Sequence, residues 1–131
     1  MYTLKKSLGQ HFLRDENMVL RIIAALKELP LRQLLEVGPG GGALTRHLVH
    51  LPGVAFKAIE VDEEKIRFLE GALPAIQGKI IHQDILQAKP PFEGKFTIVG
   101  NFPYNISSQI LFKILDWKKD VEGMLGMFEK E

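Results

Sequence analysis

The chain has no cysteine among its 131 residues, which removes disulfide scaffolds, thiolate metal sites and cysteine nucleophiles from consideration. It also lacks any apolar run near the ~20 residues that a membrane-spanning helix needs. The N-terminus, Met1-Tyr2-Thr3-Leu4-Lys5-Lys6, has no apolar core of the kind that marks a secretory signal. Internal repeats, low-complexity tracts and long linkers are missing too. What remains is the composition of a cytoplasmic globular protein with no membrane role. Its 46% hydrophobic content suffices to pack one domain of this length.

Net charge is only +1, but its distribution is uneven. Residues 1–14 hold Lys5, Lys6 and Arg14 with no acid, whereas the other 117 hold 14 basic and 16 acidic residues. A basic arm on a near-neutral body can supply phosphate contacts, although most short clusters of this kind are plain solvated surface.

Apolar runs of strand character recur at Gln33–Val37, Val54–Ile59, Lys79–His82, Phe96–Gly100 and Val121–Phe128. They are apolar throughout instead of alternating, as strands buried on both faces of a parallel sheet are. Helical spacing lies around and between them. Val19, Ile22, Ile23 and Leu26 follow Asp15, a suitable N-cap. Leu44, Leu48 and Leu51 form a second stripe; Ile66, Leu69 and Leu73 follow the acids Asp62-Glu63-Glu64; Ile110, Leu111, Ile114 and Leu115 follow Ser107 and Ser108, one of which is expected to cap. Right-handed crossovers convert this order into an α/β, doubly wound, mostly parallel sheet. The chain reads as stopping directly after the fifth strand, with no helix left to cover the face that strand exposes. We therefore expect a fragment of a longer protein, and an open strand edge at Val121–Phe128 through which two copies can pair.

The first chemical constellation is Glu36-Val37-Gly38-Pro39-Gly40-Gly41-Gly42, between the first strand and the next helix. Glycines there let the backbone turn sharply and let a ligand lie against bare main chain. Glu60 closes the second strand, where a carboxylate can accept both ribose hydroxyls of a nucleoside. Asp84 follows the third strand and can take a hydrogen bond from an adenine amine. Gly38-x-Gly40-x-x-Ala43 equally satisfies the dinucleotide fingerprint, so the loop alone fits both NAD and S-adenosylmethionine.

Asn101-Phe102-Pro103-Tyr104, after the fourth strand, separates the two cofactors. An exocyclic base amine is a poor nucleophile because its lone pair is delocalised into the ring. The Asn101 side-chain oxygen and the carbonyl of Phe102 or Pro103 can accept its two N–H bonds. That favours a pyramidal nitrogen and stabilises the positive charge that develops in methyl transfer. Pro103 stiffens the turn and brings no competing N–H. Tyr104 offers a face on which an extruded base can stack, worth ~1–3 kcal/mol.

Together with Gly9-Gln10-His11-Phe12-Leu13 and Asp15, Glu60-x-Asp62, Gln83-Asp84 and Asn105-Ile106-Ser107, these motifs resemble those of the ribosomal RNA adenine dimethyltransferases, over residues 5 to 131. The resemblance implies a Rossmann-like class I methyltransferase core over residues 1–131. It also implies S-adenosylmethionine-dependent dimethylation of two adjacent adenines in a small-subunit rRNA hairpin, linked to ribosome assembly. The immature small ribosomal subunit is then the partner. In the same terms His11 and Leu13 close over the cofactor, and Gly38 meets its methionine end within a loop that includes Glu36 and Gly40. Glu60 takes the ribose, Asp84 the adenine amine, Asn101 both cofactor and target base, and Tyr104 the base face. Two positions depart from the family pattern: His11 stands where Asn is frequent, and Phe102 where Leu is usual. Family members continue into a helical rRNA-binding domain, which the resemblance leads us to expect outside this chain.

Three other readings stay in view: an adenine methyltransferase acting on another nucleic acid, a non-catalytic nucleic-acid-binding or ribosome-assembly factor, and an NAD-dependent oxidoreductase. The last gives no role to Asn101 through Tyr104. His47 and His50 share a helical face without further metal ligands, and no metal is expected. His82 reads as packing or surface. Trp117 with Lys118 and Lys119 reads as a helix end carrying cations, with RNA contact as the alternative.

Overall fold

The computed structural model describes residues 15–129. Five strands form one parallel sheet in the order β3-β2-β1-β4-β5, where β1 is Gln33–Val37, β2 Ala55–Glu60, β3 Ile80–His82, β4 Phe96–Pro103 and β5 Val121–Glu129. The helices are α1 (Glu16–Leu26), α2 (Thr45–Leu48), α3 (Glu63–Ala72) and α4 (Ser107–Asp116).

Each strand is apolar on both faces because the sheet is covered on both. One layer packs Val19, Ile22, Ile23 and Leu26 of α1, Leu48 of α2 and Leu69 of α3 onto Leu34, Phe56, Ala58 and Val99. The opposite layer packs Ile110 and Ile114 of α4, with Ile85, onto Leu35, Val37, Ile59, Phe96 and Ile98. Asp15 caps α1 as expected, its carboxylate accepting from the amides of Asn17 (2.9 Å) and Met18 (3.4 Å). Asp62 caps α3 in the same way through Glu64 N at 2.9 Å.

Several expectations need correction. The Leu44, Leu48, Leu51 stripe is regular helix only over Thr45–Leu48. Beyond it the bonds tighten, His50 N to His47 O and Leu51 N to Leu48 O. Pro52 follows, and a proline disfavours helical geometry in the residue before it. Neither Ser107 nor Ser108 caps α4. A 3-10 turn at Tyr104–Ile106 runs straight into the helix, Ile106 stands at the cap position with no side-chain bond, and Ser107 is already helical. Its hydroxyl donates back to Tyr104 O at 2.9 Å, the local bond that serine uses inside a helical turn.

The buried stripe of α4 is Ser107, Ile110, Ile114 and Trp117 instead of one that includes Leu115, which is 60% exposed. Trp117 is 5% exposed and meets Phe96 edge-on at 5.9 Å, so it belongs to the core and not to an RNA surface. Strand β4 continues through Asn101 and Phe102 to Pro103 instead of stopping at Gly100. Strand β5 is covered on both faces more than expected: Leu125 and Met127 pack on the α1 side, Val121 and Met124 on the α4 side. Among the described residues β5 pairs with β4 alone, and no helix is long and apolar enough to cross a membrane.

Replacing Asp15 with Ala should cost about 1 kcal/mol and lower the melting temperature by about 4 °C, because two amide donors of the first turn lose their acceptor. Thermal denaturation followed by circular dichroism measures it, and an unchanged midpoint would show that the cap contributes nothing.

Candidate active site

The carboxyl ends of β1, β2, β3 and β4 converge on an open cleft of about 240 Å³. Its walls are supplied in strand order: Val37, Gly38 and Gly40 at the end of β1, Glu60 and Val61 at the end of β2, Gln83 and Asp84 after β3, and Asn101, Phe102 and Pro103 on β4. The cleft opens there because β1 pairs with β2 on one side and β4 on the other, so the connections leaving β1 and β4 diverge to opposite faces of the sheet.

The glycine loop owes its path to backbone angles that side chains rarely adopt. Gly38 has φ +71° and Gly42 φ +89°. Gly38 N donates to Ile59 O at 2.9 Å, tying the loop's start to the end of β2. A Cβ on Gly42 would meet Leu69 Cδ2 at 2.8 Å, so this glycine also lets the loop lie against α3.

Beneath the loop Glu36 is buried, and the Thr45 hydroxyl donates to its Oε1 at 2.6 Å. Burial drives the Glu36 carboxyl up from 4.5 to about 7; the Thr45 hydrogen bond opposes the rise and the Glu60 charge adds to it. Sequence reasoning missed Thr45, because a hydroxyl nine positions downstream follows no motif spacing; only the turn back of the loop brings the two together. Glu60 is buried as well, with Oε2 accepting from Val61 N at 3.1 Å and Asp62 N at 3.0 Å, so its carboxylate has a fixed orientation.

Asp84 is exposed and starts a 3-10 turn, with Oδ1 accepting from Leu86 N at 2.9 Å. Asn101 presents a different situation: its Oδ1 is buried, yet it has no hydrogen-bond partner. Tyr104 lies outside the cleft lining on the 3-10 turn that follows Pro103, and the residue is 63% exposed. His11 and Leu13 lie outside the described residues. Lys65, Ile106 and Ile110 also line the cleft; Lys65 was not singled out from the sequence, and Ile106 and Ile110 were read only as motif and helix positions. His47 instead faces Glu16 of α1 at 3.2 Å, beside the Arg46–Glu16 ion pair, and His82 Nε2 sits 3.1 Å from Val61 O.

The architecture is that of the class I methyltransferases. The crystal structure of the 23S rRNA methyltransferase ErmE matches with a TM-score of 0.70 and 33% identity, over 88% of this chain and 47% of that one. A dimethyladenosine transferase from Plasmodium falciparum matches with a TM-score of 0.67 and 25% identity, over 87% of this chain and 42% of that one.

Residues 1–131 match the profile of the ribosomal RNA adenine dimethylases, and the chain belongs to that family. Ribosomal RNA small subunit methyltransferase A of Cytophaga hutchinsonii is 41% identical over 130 residues, covering 97% of this chain and 50% of the relative. The protein of that name from Flavobacterium johnsoniae is 43% identical over 130 residues, covering 97% and 49%. The chain thus spans about half the length of the curated relatives it matches.

The buried acid gives a pH dependence whose sign is fixed. The folded value lies above the unfolded 4.5, so folding favours the protonated form. The contribution of Glu36 to stability is full below 4.5 and is lost as pH rises through about 7. Between those limits the loss is roughly 3 kcal/mol. Glu36→Gln cannot ionise, so its stability measured by urea unfolding should fall less with rising pH than that of the unmodified chain; parallel profiles would contradict the assignment.

Proposed function

We propose that this chain is the S-adenosylmethionine-binding catalytic core of an rRNA adenine dimethyltransferase that acts on adjacent adenines of small-subunit rRNA. The observation that carries this reading is the buried, unpartnered Oδ1 of Asn101 in the cleft that also holds Glu60 and Asp84. A buried acceptor without a donor is costly unless a ligand provides one, and the exocyclic amine of adenine is such a donor.

The donor set fits the cofactor. Glu60 is oriented for ribose hydroxyls, and the second oxygen of Asp84 is available in chemistry and position for an adenine amine. Glu60 and Asp84 line the cleft against Lys65, the one cation among its described lining residues. That field favours a ligand bearing positive charge, as S-adenosylmethionine does, over the anionic pyrophosphate of a dinucleotide. The helix after the loop has four residues, which leaves little of the helix dipole on which dinucleotide sites rely.

When bound, the cofactor supplies an electrophilic methyl group. The chain's own residues prepare the other reactant. Asn101 Oδ1 accepts one amine N–H and the carbonyl of Phe102 or Pro103 accepts the other, which frees the nitrogen lone pair from the ring and stabilises the charge it acquires. Pro103 holds this backbone without an N–H of its own, and Tyr104, exposed at the rim, provides the stacking face for the extruded base. The small subunit is preferred over the large one because the relatives named for it are 41–43% identical, above the 33% of the 23S rRNA methyltransferase.

Isothermal titration with S-adenosylmethionine should show binding that Glu60→Ala weakens by at least about tenfold, the loss of a charge-assisted bond. Asn101→Ala should leave that affinity nearly intact and abolish transfer of labelled methyl to immature small subunits, which are compared with large subunits and with naked DNA. Transfer retained by Asn101→Ala would remove this residue from the reaction. Association with the subunit but no transfer by the unmodified protein would favour a binding factor.

A further inference from the structure

Two glycines stand opposite each other in the two strands that end at the proposed base-binding edge. Gly100 of β4 is in register with Gly126 of β5, and the next residues on the same face, Phe102 and Phe128, are in register as well. Glycine inside a strand weakens it, so a facing pair in the sheet needs a steric reason. That reason is the ring of Phe102, which is fully buried. A Cβ on Gly100 would run into Phe102 Cε1, and would also meet Phe102 Cζ and the backbone oxygen of Val37, both at 2.9 Å. A Cβ on Gly126 would meet Phe102 Cε2 at 3.0 Å, with Phe128 Cζ and Met124 Cε at 3.3 Å. The ring therefore lies across both glycines, held from its outer side by Phe128 at 5.7 Å and 57°.

Side chains alternate along a strand, so Asn101 points away from this slot, into the cleft, while Gly100 and Phe102 on either side of it are fixed by the slot. We propose that Gly126 is a positioning residue for Asn101. The Gly100–Gly126 pair forms the slot, the slot fixes the Phe102 ring, and the ring fixes the peptide units that aim Asn101 Oδ1 at the target amine. Among the described residues none that lines the cleft comes from β5, so this contribution is made through Phe102. The inference rests on the reading of Asn101 as the group that faces the base.

Gly126→Ala tests it. The added Cβ forces the ring to shift by a few tenths of an ångström while nothing in the cofactor half of the cleft is touched. In the nitrogen-15-labelled protein, the side-chain amide resonances of Asn101, assigned by their loss in Asn101→Ala, should move. Methyl transfer should fall about tenfold, as displaced reacting groups cause, with the dissociation constant of S-adenosylhomocysteine unchanged within about twofold. Adding Phe102→Leu removes the ring carbon that the Cβ meets, so the double variant should regain the Asn101 resonances and most of the transfer. Gly100→Ala should not be rescued in this way, because its Cβ also meets the Val37 backbone.

The inference is overturned if Gly126→Ala lowers only the melting temperature and leaves the Asn101 resonances in place, or if Phe102→Leu fails to relieve its defect. Should Gly126→Ala alone not fold, Phe128→Ala, which removes the β5 ring packed on Phe102, is read in its place: unmoved Asn101 resonances and full transfer overturn the inference. If the unmodified protein transfers no methyl group, it is the proposed function that fails, and the resonances still decide whether β5 positions Asn101.

Discussion

Everything that distinguishes this molecule follows from β1 lying between β2 and β4, so that the chain leaves its two central strands toward opposite faces of the sheet. One connection carries the glycine loop toward α1, α2 and α3; the other carries Tyr104–Ile106 into α4 on the far side. The gap between them cannot be filled by either, and each neighbouring strand delivers its last side chains to it. Glu60, Asp84 and Asn101 come from strands far apart in sequence. They meet because parallel strands end on the same edge.

That gap is expensive to maintain, and the chain manages the cost with specific contacts. A carboxyl group under a glycine loop is a poor choice for stability, as the rise of Glu36 to about 7 shows. Thr45 satisfies one of its oxygens and lets the acid stay where the loop needs it. Glu60 is held by two amides of the turn it precedes. Among the described residues that line the cleft, Asn101 keeps a buried acceptor without a donor. The polar groups of the cleft thus divide into those that other groups of the protein satisfy and the Asn101 oxygen, which has no partner.

Much of this was legible in the sequence. Unbroken apolar runs located all five strands, and β1 fell at the residues expected, because two-face burial leaves a strong signal. Glu36 through Gly42, Glu60, Asp84 and Asn101 were also readable, since motif spacing follows from where strands end. The misses share one physical origin: neighbours in space overrode local preference. Asn101-Phe102-Pro103 looked like a turn, yet it pairs in full with Met127, Phe128 and Glu129 because β5 lies alongside. Serine at the start of α4 looked like a cap, yet a 3-10 turn already fed the helix. Trp117 stands at a helix end as expected, but the RNA contact that its two lysines left open is excluded, because Phe96 and the end of α4 enclose it. Thr45 and the Gly100–Gly126 slot carried no sequence signal at all, because both depend on contacts between elements.

The central claim is that the carboxyl edge of the sheet forms a nucleoside cofactor site built by four successive strand ends. Titrating the nitrogen-15-labelled chain with S-adenosylhomocysteine and mapping the amide shifts tests it directly. Saturable perturbations are expected at Gly38, Glu60, Asp84 and Asn101 together, with the opposite edge of the sheet at Gln33, Ala55 and Val121 unmoved. An unperturbed spectrum of the folded protein, or shifts centred on that opposite edge, would contradict it.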